Sequence, residues 1–137
     1  MKTLLSNIKT RLAEQVATVR DSDVFYAIDR QLIPKSVRAN CIGIKDKKIT
    51  PADQMGGCVE KQMPVEIYVY HEYFFRDNDI DDLLDVCALV SAALKNHDFD
   101  GYIQDVSAGD EGEIRWMILE KRMLITKRLS FEYFKEE

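Results

Sequence analysis

The chain has 137 residues, of which 46% are apolar and 31% charged, and its net charge is −5. That length suits a single domain, and that composition supplies a real core and excludes wholesale disorder. The acidic balance argues against a general nucleic-acid binder, which would show a basic surface, though a protein can sit beside DNA without gripping it.

Residues 3–20 read as an amphipathic helix. Leu4, Leu5, Ile8, Leu12, Val16 and Val19 recur at helical spacing, Lys9, Arg11, Glu14 and Arg20 fall mostly elsewhere, and Thr3 is the expected N-cap. Charges come too early in this segment for the apolar stretch of a signal peptide. Val24 to Ile28 is a short strand with Phe25 and Tyr26, broken by Leu32-Ile33-Pro34 because proline fixes φ and removes a donor. Asn40 to Ile44 is another strand, ending in the charged turn Lys45-Asp46-Lys47-Lys48.

From Thr50 to Gln62 the pattern vanishes into a long irregular loop with Pro51 and the pair Gly56-Gly57. A loop of that length in a compact domain is commonly functional or partly disordered. Pro64 to Phe75 is the surest strand: Val65, Ile67, Val69 and His71 share one face, and Glu66, Tyr68, Tyr70 and Glu72 the other. Asn78 or Asp79 then caps a helix to about Asn96, with a buried stripe of Ile80, Leu83, Leu84, Cys87, Val90 and Leu94. Its early aspartates suit the positive end of a helix dipole.

Asp98-Phe99-Asp100-Gly101 is a turn, Tyr102 to Ser107 a strand, and Ala108 to Gly112 a hairpin loop. A strand near 113–119, an irregularity at Glu120–Arg122 and a strand near 123–134 close the pattern, with Lys127 interrupting an apolar face. The order predicts an α+β domain: a mixed, largely antiparallel sheet with two helices packed against it and a closing β-hairpin.

Catalytic chemistry finds little support. Cys41, Cys58 and Cys87 are odd in number and lack CxxC spacing, which favours reduced thiols over a disulfide framework. His71 and His97 are far apart, with no second ligand at metal-binding spacing. Gly56-Gly57 has neither P-loop nor dinucleotide-fingerprint spacing, and no Gly-x-Ser-x-Gly occurs. The strongest enzyme reading is a metal-dependent nuclease using Asp105, Glu113 and Lys121; a regulatory module binding a host protein is another class. No stretch approaches the roughly 18 apolar residues of a membrane span, so no membrane partner, metal or cofactor is expected.

Charge is distributed more tellingly. The run Glu113–Phe134 carries Arg115, Lys121, Arg122, Lys127 and Arg128 against Glu113, Glu120 and Glu132, whereas NDIDDLLD concentrates Asp79, Asp81, Asp82 and Asp85. Separate basic and acidic elements in one chain suit docking to copies of itself or to neighbouring proteins.

The succession Leu4–Val19, Val24–Ile44, Thr50–Gln62, Val65–Tyr73, Ile80–Leu94 and Tyr102–Phe134 resembles that of phage and prophage tail-terminator (tail-completion, neck) proteins. VEIYVY and Phe99-Asp100-Gly101-Tyr102, leading into a strand, are compatible with that resemblance. It implies a non-catalytic virion protein, made in the host cytoplasm, that forms a homo-oligomeric ring, expected to be a hexamer. Such a ring caps the tail tube protein and joins it to the head–tail connector protein, with DNA passing only through its lumen. Stopper and adaptor proteins of the head–tail connector are the nearest alternative. On this reading Asp79, Asp81, Asp82, Arg115, Arg122 and Arg128 line the subunit interface. Asp53, Gly56, Gly57 and Lys61, in the long loop, reach the tube or the lumen.

Overall fold

The structure, a computed structural model, describes residues 2–16, 23–27, 33, 40–47, 50–52, 60–95, 99, 102–119 and 121–136. Its helices are α1 (Lys2–Gln15) and α2 (Asp77–Leu94). Its strands are β1 (Val24–Tyr26), β2 (Cys41–Asp46), β3 (Thr50–Ala52), β4 (Glu60–Glu72), β5 (Ile103–Glu111), β6 (Arg115–Leu119) and β7 (Arg122–Glu136). They form one sheet in the order β1-β2-β4-β7-β5, with β3 pairing the first residues of β4 and β6 the first residues of β7. β1 runs parallel to β2 and the other pairings are antiparallel. The fold is α+β, with a mixed, largely antiparallel sheet, as the sequence leads one to expect.

The spine is β4 against β7, paired without a shift from Glu60↔Glu136 to Glu72↔Leu124. Side chains alternate across a strand, so this register assigns each residue a face. Met63, Val65, Ile67 and Val69 of β4 join Ile125, Leu129, Phe131 and Tyr133 of β7 beneath the helices. Leu4, Ile8 and Leu12 of α1, and Leu83, Cys87, Val90 and Leu94 of α2, close the core from above. Each such side chain contributes about 1.5–3 kcal/mol when fully removed from water. Lys127 lies on this same face, and its Nζ is 3.3 Å from Glu111 Oε2. A charge that interrupts the apolar pattern is thus neutralised by the neighbouring strand.

The opposite face has a smaller cluster of Phe25, Ala27, Ile33, Cys41, Tyr68, Tyr70 and Leu124. Gly43 makes it possible: a Cβ there would sit 3.1 Å from Phe25 Cζ and 3.2 Å from Ala27 Cβ. The missing side chain lets the Phe25 ring lie directly on the strand and reach Tyr70, with ring centroids 6.3 Å apart.

Several boundaries differ from expectation. α1 already includes Lys2, so Thr3 lies inside the helix and does not cap it; residues 17–20 fall outside the described ones. α2 starts at Asp77 with Arg76 as N-cap, one turn earlier than a cap at Asp79 would allow. Leu84, expected in its buried stripe, is 38% exposed. β4 stops at Glu72, short of Phe75.

The long loop at 50–62 is zipped at its base, with Thr50↔Gln62, Pro51↔Lys61 and Ala52↔Glu60. Glu60-Lys61-Gln62 has no apolar alternation to announce a strand, and proline is tolerated only where no ladder donor is needed. Lys61 therefore belongs to β4, while Asp53, Gly56 and Gly57 lie outside the described residues, as do Asp98, Asp100 and Gly101.

The hairpin loop expected at Ala108–Gly112 does not form. β5 continues to Glu111, with a register shift between Asp105 and Asp110, and both β5 and β6 pair with β7. At 15 residues β7 is long enough to seat the two end to end. The closing hairpin is β6–β7, joined across Leu119↔Arg122, and Lys121 in its turn has φ 67°.

Tyr133 is fully buried, yet its hydroxyl has no hydrogen-bond partner among the described residues. An unpaired buried hydroxyl carries its desolvation penalty without return. Tyr133→Phe should therefore leave stability unchanged or raise it by about 1 kcal/mol in urea unfolding; a clear loss would reveal a hydroxyl partner.

Candidate assembly surfaces

The junction between β4 and α2 centres on Asp79, which is inaccessible to solvent. Its Oδ2 accepts the backbone N–H of Phe74 at 2.8 Å and of Arg76 at 3.3 Å, and its Oδ1 accepts Arg76 Nη2 at 2.9 Å. Asp79 is the third residue of the helix and reaches back to its N-cap, half of a capping box. The Arg76 hydrogen bond, aided by the two backbone donors, holds its carboxyl below the usual aspartate range against the opposing effect of burial. Asp79, expected at a subunit interface, is instead buried and bonded within its own chain.

Asp81, Asp82 and Asp85 are exposed. Asp82 Oδ2 lies 3.9 Å from His71 Nε2, while His71 Nδ1 donates to the carbonyl of Glu72 at 2.7 Å. These two residues border a cleft of about 330 Å³ between α2 and the β2–β4 pair, also lined by Asn40, Cys41, Val86 and Leu89.

The three candidate arginines lie on the sheet face away from the helices, since Arg122 and Arg128 share the β7 parity of Leu124 and Arg115 pairs with Thr126. Arg115 is half exposed, and its Nη2 is 3.0 Å from Glu113 Oε1. Arg128 is partly buried opposite Tyr68. Tyr68 donates its hydroxyl to Glu66, whose other oxygen is 3.1 Å from Lys47 Nζ. Burial alone would raise the Glu66 carboxyl; the Tyr68 and Lys47 hydrogen bonds, with the charges of Lys47 and Arg128, hold it below its usual range. Arg128 thus supports a charge inside its own subunit. A polar cleft of about 210 Å³ beside it is lined by Tyr68, Gly112, Glu113, Arg115, Thr126 and Arg128.

The geometry separates the groups that the nuclease reading would need together. Asp105 pairs with Glu132, whereas Lys121 adjoins Arg122, ten residues away along β7 and roughly 33 Å at 3.3 Å per residue. The nuclease trio is dispersed. Cys41, His71 and Asp82 border one cleft, but Cys41 packs with Tyr68 and Tyr70 while His71 points to the other face. Burial pushes the Cys41 thiol to about 12 and the Cys87 thiol to about 11, far from the thiolate that nucleophilic chemistry requires. Among the described residues no group of three or more His, Cys, Asp or Glu is arranged to hold a metal ion. No helix among the described residues is long and apolar enough to cross a membrane.

By sequence the late aromatics Trp116, Phe131, Tyr133 and Phe134 suit either an interface or the core; Phe131 and Tyr133 are buried, whereas Trp116 belongs to an exposed apolar surface. Trp116 is 66% exposed and Ile118 63% exposed, both on edge strand β6 and on the helix-bearing face. Phe74 and Phe75 are exposed at the nearby end of β4, where the Tyr73 N–H donates to Met123 O at 2.9 Å. Phe75 has φ 62°, uncommon for a bulky residue. Alternation in Arg115-Trp116-Met117-Ile118 does announce a strand; it does not say that the strand lies at an edge.

Because its folded pKa is depressed, Asp79 stabilises the fold at pH values above the unfolded value of about 3.9, and this contribution is lost as pH falls through the folded value. Asp79→Asn should lower the thermal midpoint at pH 7, and the gap to the unsubstituted protein should close on acidification below about pH 4. A gap constant down to about pH 2 would rule out an ionised Asp79 as the cause.

No known family description matches the chain, and no curated protein is similar to it in sequence. Solved structures are similar in fold. A chain from the virion of a native gene transfer agent particle superposes with TM-score 0.58 at 16% identity, covering 98% of this chain and 95% of that one. A second solved chain, with no functional description, gives TM-score 0.54 at 11% identity over 96% of this chain and 94% of its own.

Proposed function

We propose that this chain is a structural virion protein that forms a ring at the end of a phage or phage-like tail tube and joins the tube to the head connector. The observation that carries this reading is the end-to-end fold likeness to a chain of a virion particle, which leaves almost no part of either chain unmatched. Two further features support it. The candidate catalytic groups are dispersed, and acidic and basic surfaces lie on different elements, as a ring built from unlike patches requires. Opposite charges on such patches steer encounter and fix register more than they add affinity. Within the expected interface, Asp81 and Asp82 on α2 and Arg115 on β6 are exposed, and Arg122 is partly so. DNA is a passenger in the lumen.

Native mass spectrometry and negative-stain imaging, alone and with purified tail tubes, test the reading. A single closed oligomer is expected, with a hexamer the favoured count. A protein monomeric at high concentration and on tubes would refute it. Binding to isolated tubes, against binding to head-connector rings alone, separates a terminator from a stopper or adaptor. Incubation of DNA with Mg²⁺ or Mn²⁺ should give no cleavage; cleavage lost in Asp105→Ala would restore the nuclease.

A further inference from the structure

Two elements carry surface that their own subunit leaves uncovered, and the two surfaces match. On α2, Asp77, Asp81 and Asp85 recur every four residues along the outward ridge, and Ala88 and Ala92 continue it. All five are exposed. Like charges four apart on a helix repel, and α2 has no Lys or Arg to separate them. The helix dipole favours anions only in the first turn, which accounts for Asp77 and leaves Asp81 and Asp85 without a local reason. Exposed Leu84 and Leu89 flank the ridge. The helix is therefore acidic over its first half and small or apolar over its second.

The β6–β7 hairpin has the complementary pattern. Trp116 and Ile118 stand exposed on the helix-bearing face of the edge strand, and exposed Lys121, which follows Glu120 in sequence, lies in the turn, while Arg122 takes the opposite face.

We propose that the hairpin of one copy docks lengthwise on the outward ridge of α2 in the next copy. Trp116 and Ile118 lie against Ala88 and Ala92, and Lys121 in the turn meets Asp81 and Asp85. This rests on the ring reading above and names the contact within it. An exposed tryptophan seated on small residues fits the aromatic anchor that dominates many interfaces. The charged end sets the direction in which the two rods lie. Since hairpin and helix are different surfaces of one chain, each copy has one of each free, and the contact propagates head to tail.

The test uses two variants, each disabled on one side: Asp81→Lys/Asp85→Lys, and Trp116→Ala/Lys121→Glu. Circular dichroism and thermal unfolding confirm that each is folded; Asp81→Asn/Asp85→Asn and Ile118→Ser replace either that is not. In native mass spectrometry each variant alone should be monomeric, with self-association weakened about 30-fold or more. Mixed in equal amounts, they should form a heterodimer and nothing larger, because each retains the half the other lacks. A variant that still builds the wild-type oligomer alone, or a mixture that yields no heterodimer, overturns this contact and leaves the ring standing if the unsubstituted protein still forms one. An unsubstituted protein that is monomeric alone and on tubes overturns both. Substitutions that abolish binding to tubes without changing self-association assign the surface to the tube protein and overturn the pairing of copies.

Discussion

The pairing of β4 with β7 is the constraint on which the molecule depends. It runs from Glu60↔Glu136 to Glu72↔Leu124 without a bulge, and a slip of one residue would turn every side chain of β7 to the wrong face. Val65, Ile67 and Val69 would lose Phe131 and Leu129 from their side of the sheet. The same register brings Lys127 within reach of Glu111 and sets Tyr68 opposite Arg128. Packing and electrostatics are thus two readings of one alignment. β2, β3, β5 and β6 then attach to edges that this pair provides.

The sheet also keeps its charges apart. Helices cover one face, and α2 carries its aspartates away from it; the arginines of β6 and β7 point to the other. Their reach is limited by the thickness of the sheet, and the most buried of the charges are neutralised internally. Asp79 secures the entry to α2, and Glu66 anchors Tyr68 and Lys47. What remains at the surface is what local structure does not consume. That distinction, rather than the total charge of −5, bears on how the chain meets other molecules.

The fold class was legible because its strongest signals are periodic. Alternation in Pro64–Glu72 and in the run after Met123 marked β4 and β7, and helical spacing marked α1 and α2. Pairing partners were not legible. Nothing in Ala108–Gly112 reveals that β5 and β6 share β7 instead of forming a hairpin, because the choice depends on the length of β7 and on the space beside it. Asp79 and Asp81 look alike in NDIDDLLD, yet one is sealed under Arg76 and the other is exposed; the one-turn shift of the N-cap decides between them. The nuclease trio looked close in sequence order and is stretched along a strand. Trp116 could be read as core or interface until its strand was seen to be an edge.

The position of β7 has a consequence for the order of events. It follows every other element in the chain yet lies second from the edge of the sheet, between β4 and the β5–β6 line. Contacts between segments this far apart form slowly, because loop closure precedes their reward. Until β7 inserts, Val65, Ile67 and Val69 lack their partners, and the hairpin that presents Trp116 does not exist. The segment that completes the core is also the one that presents Trp116 and Ile118 at the surface, so a chain with an unfinished sheet does not yet carry that apolar edge.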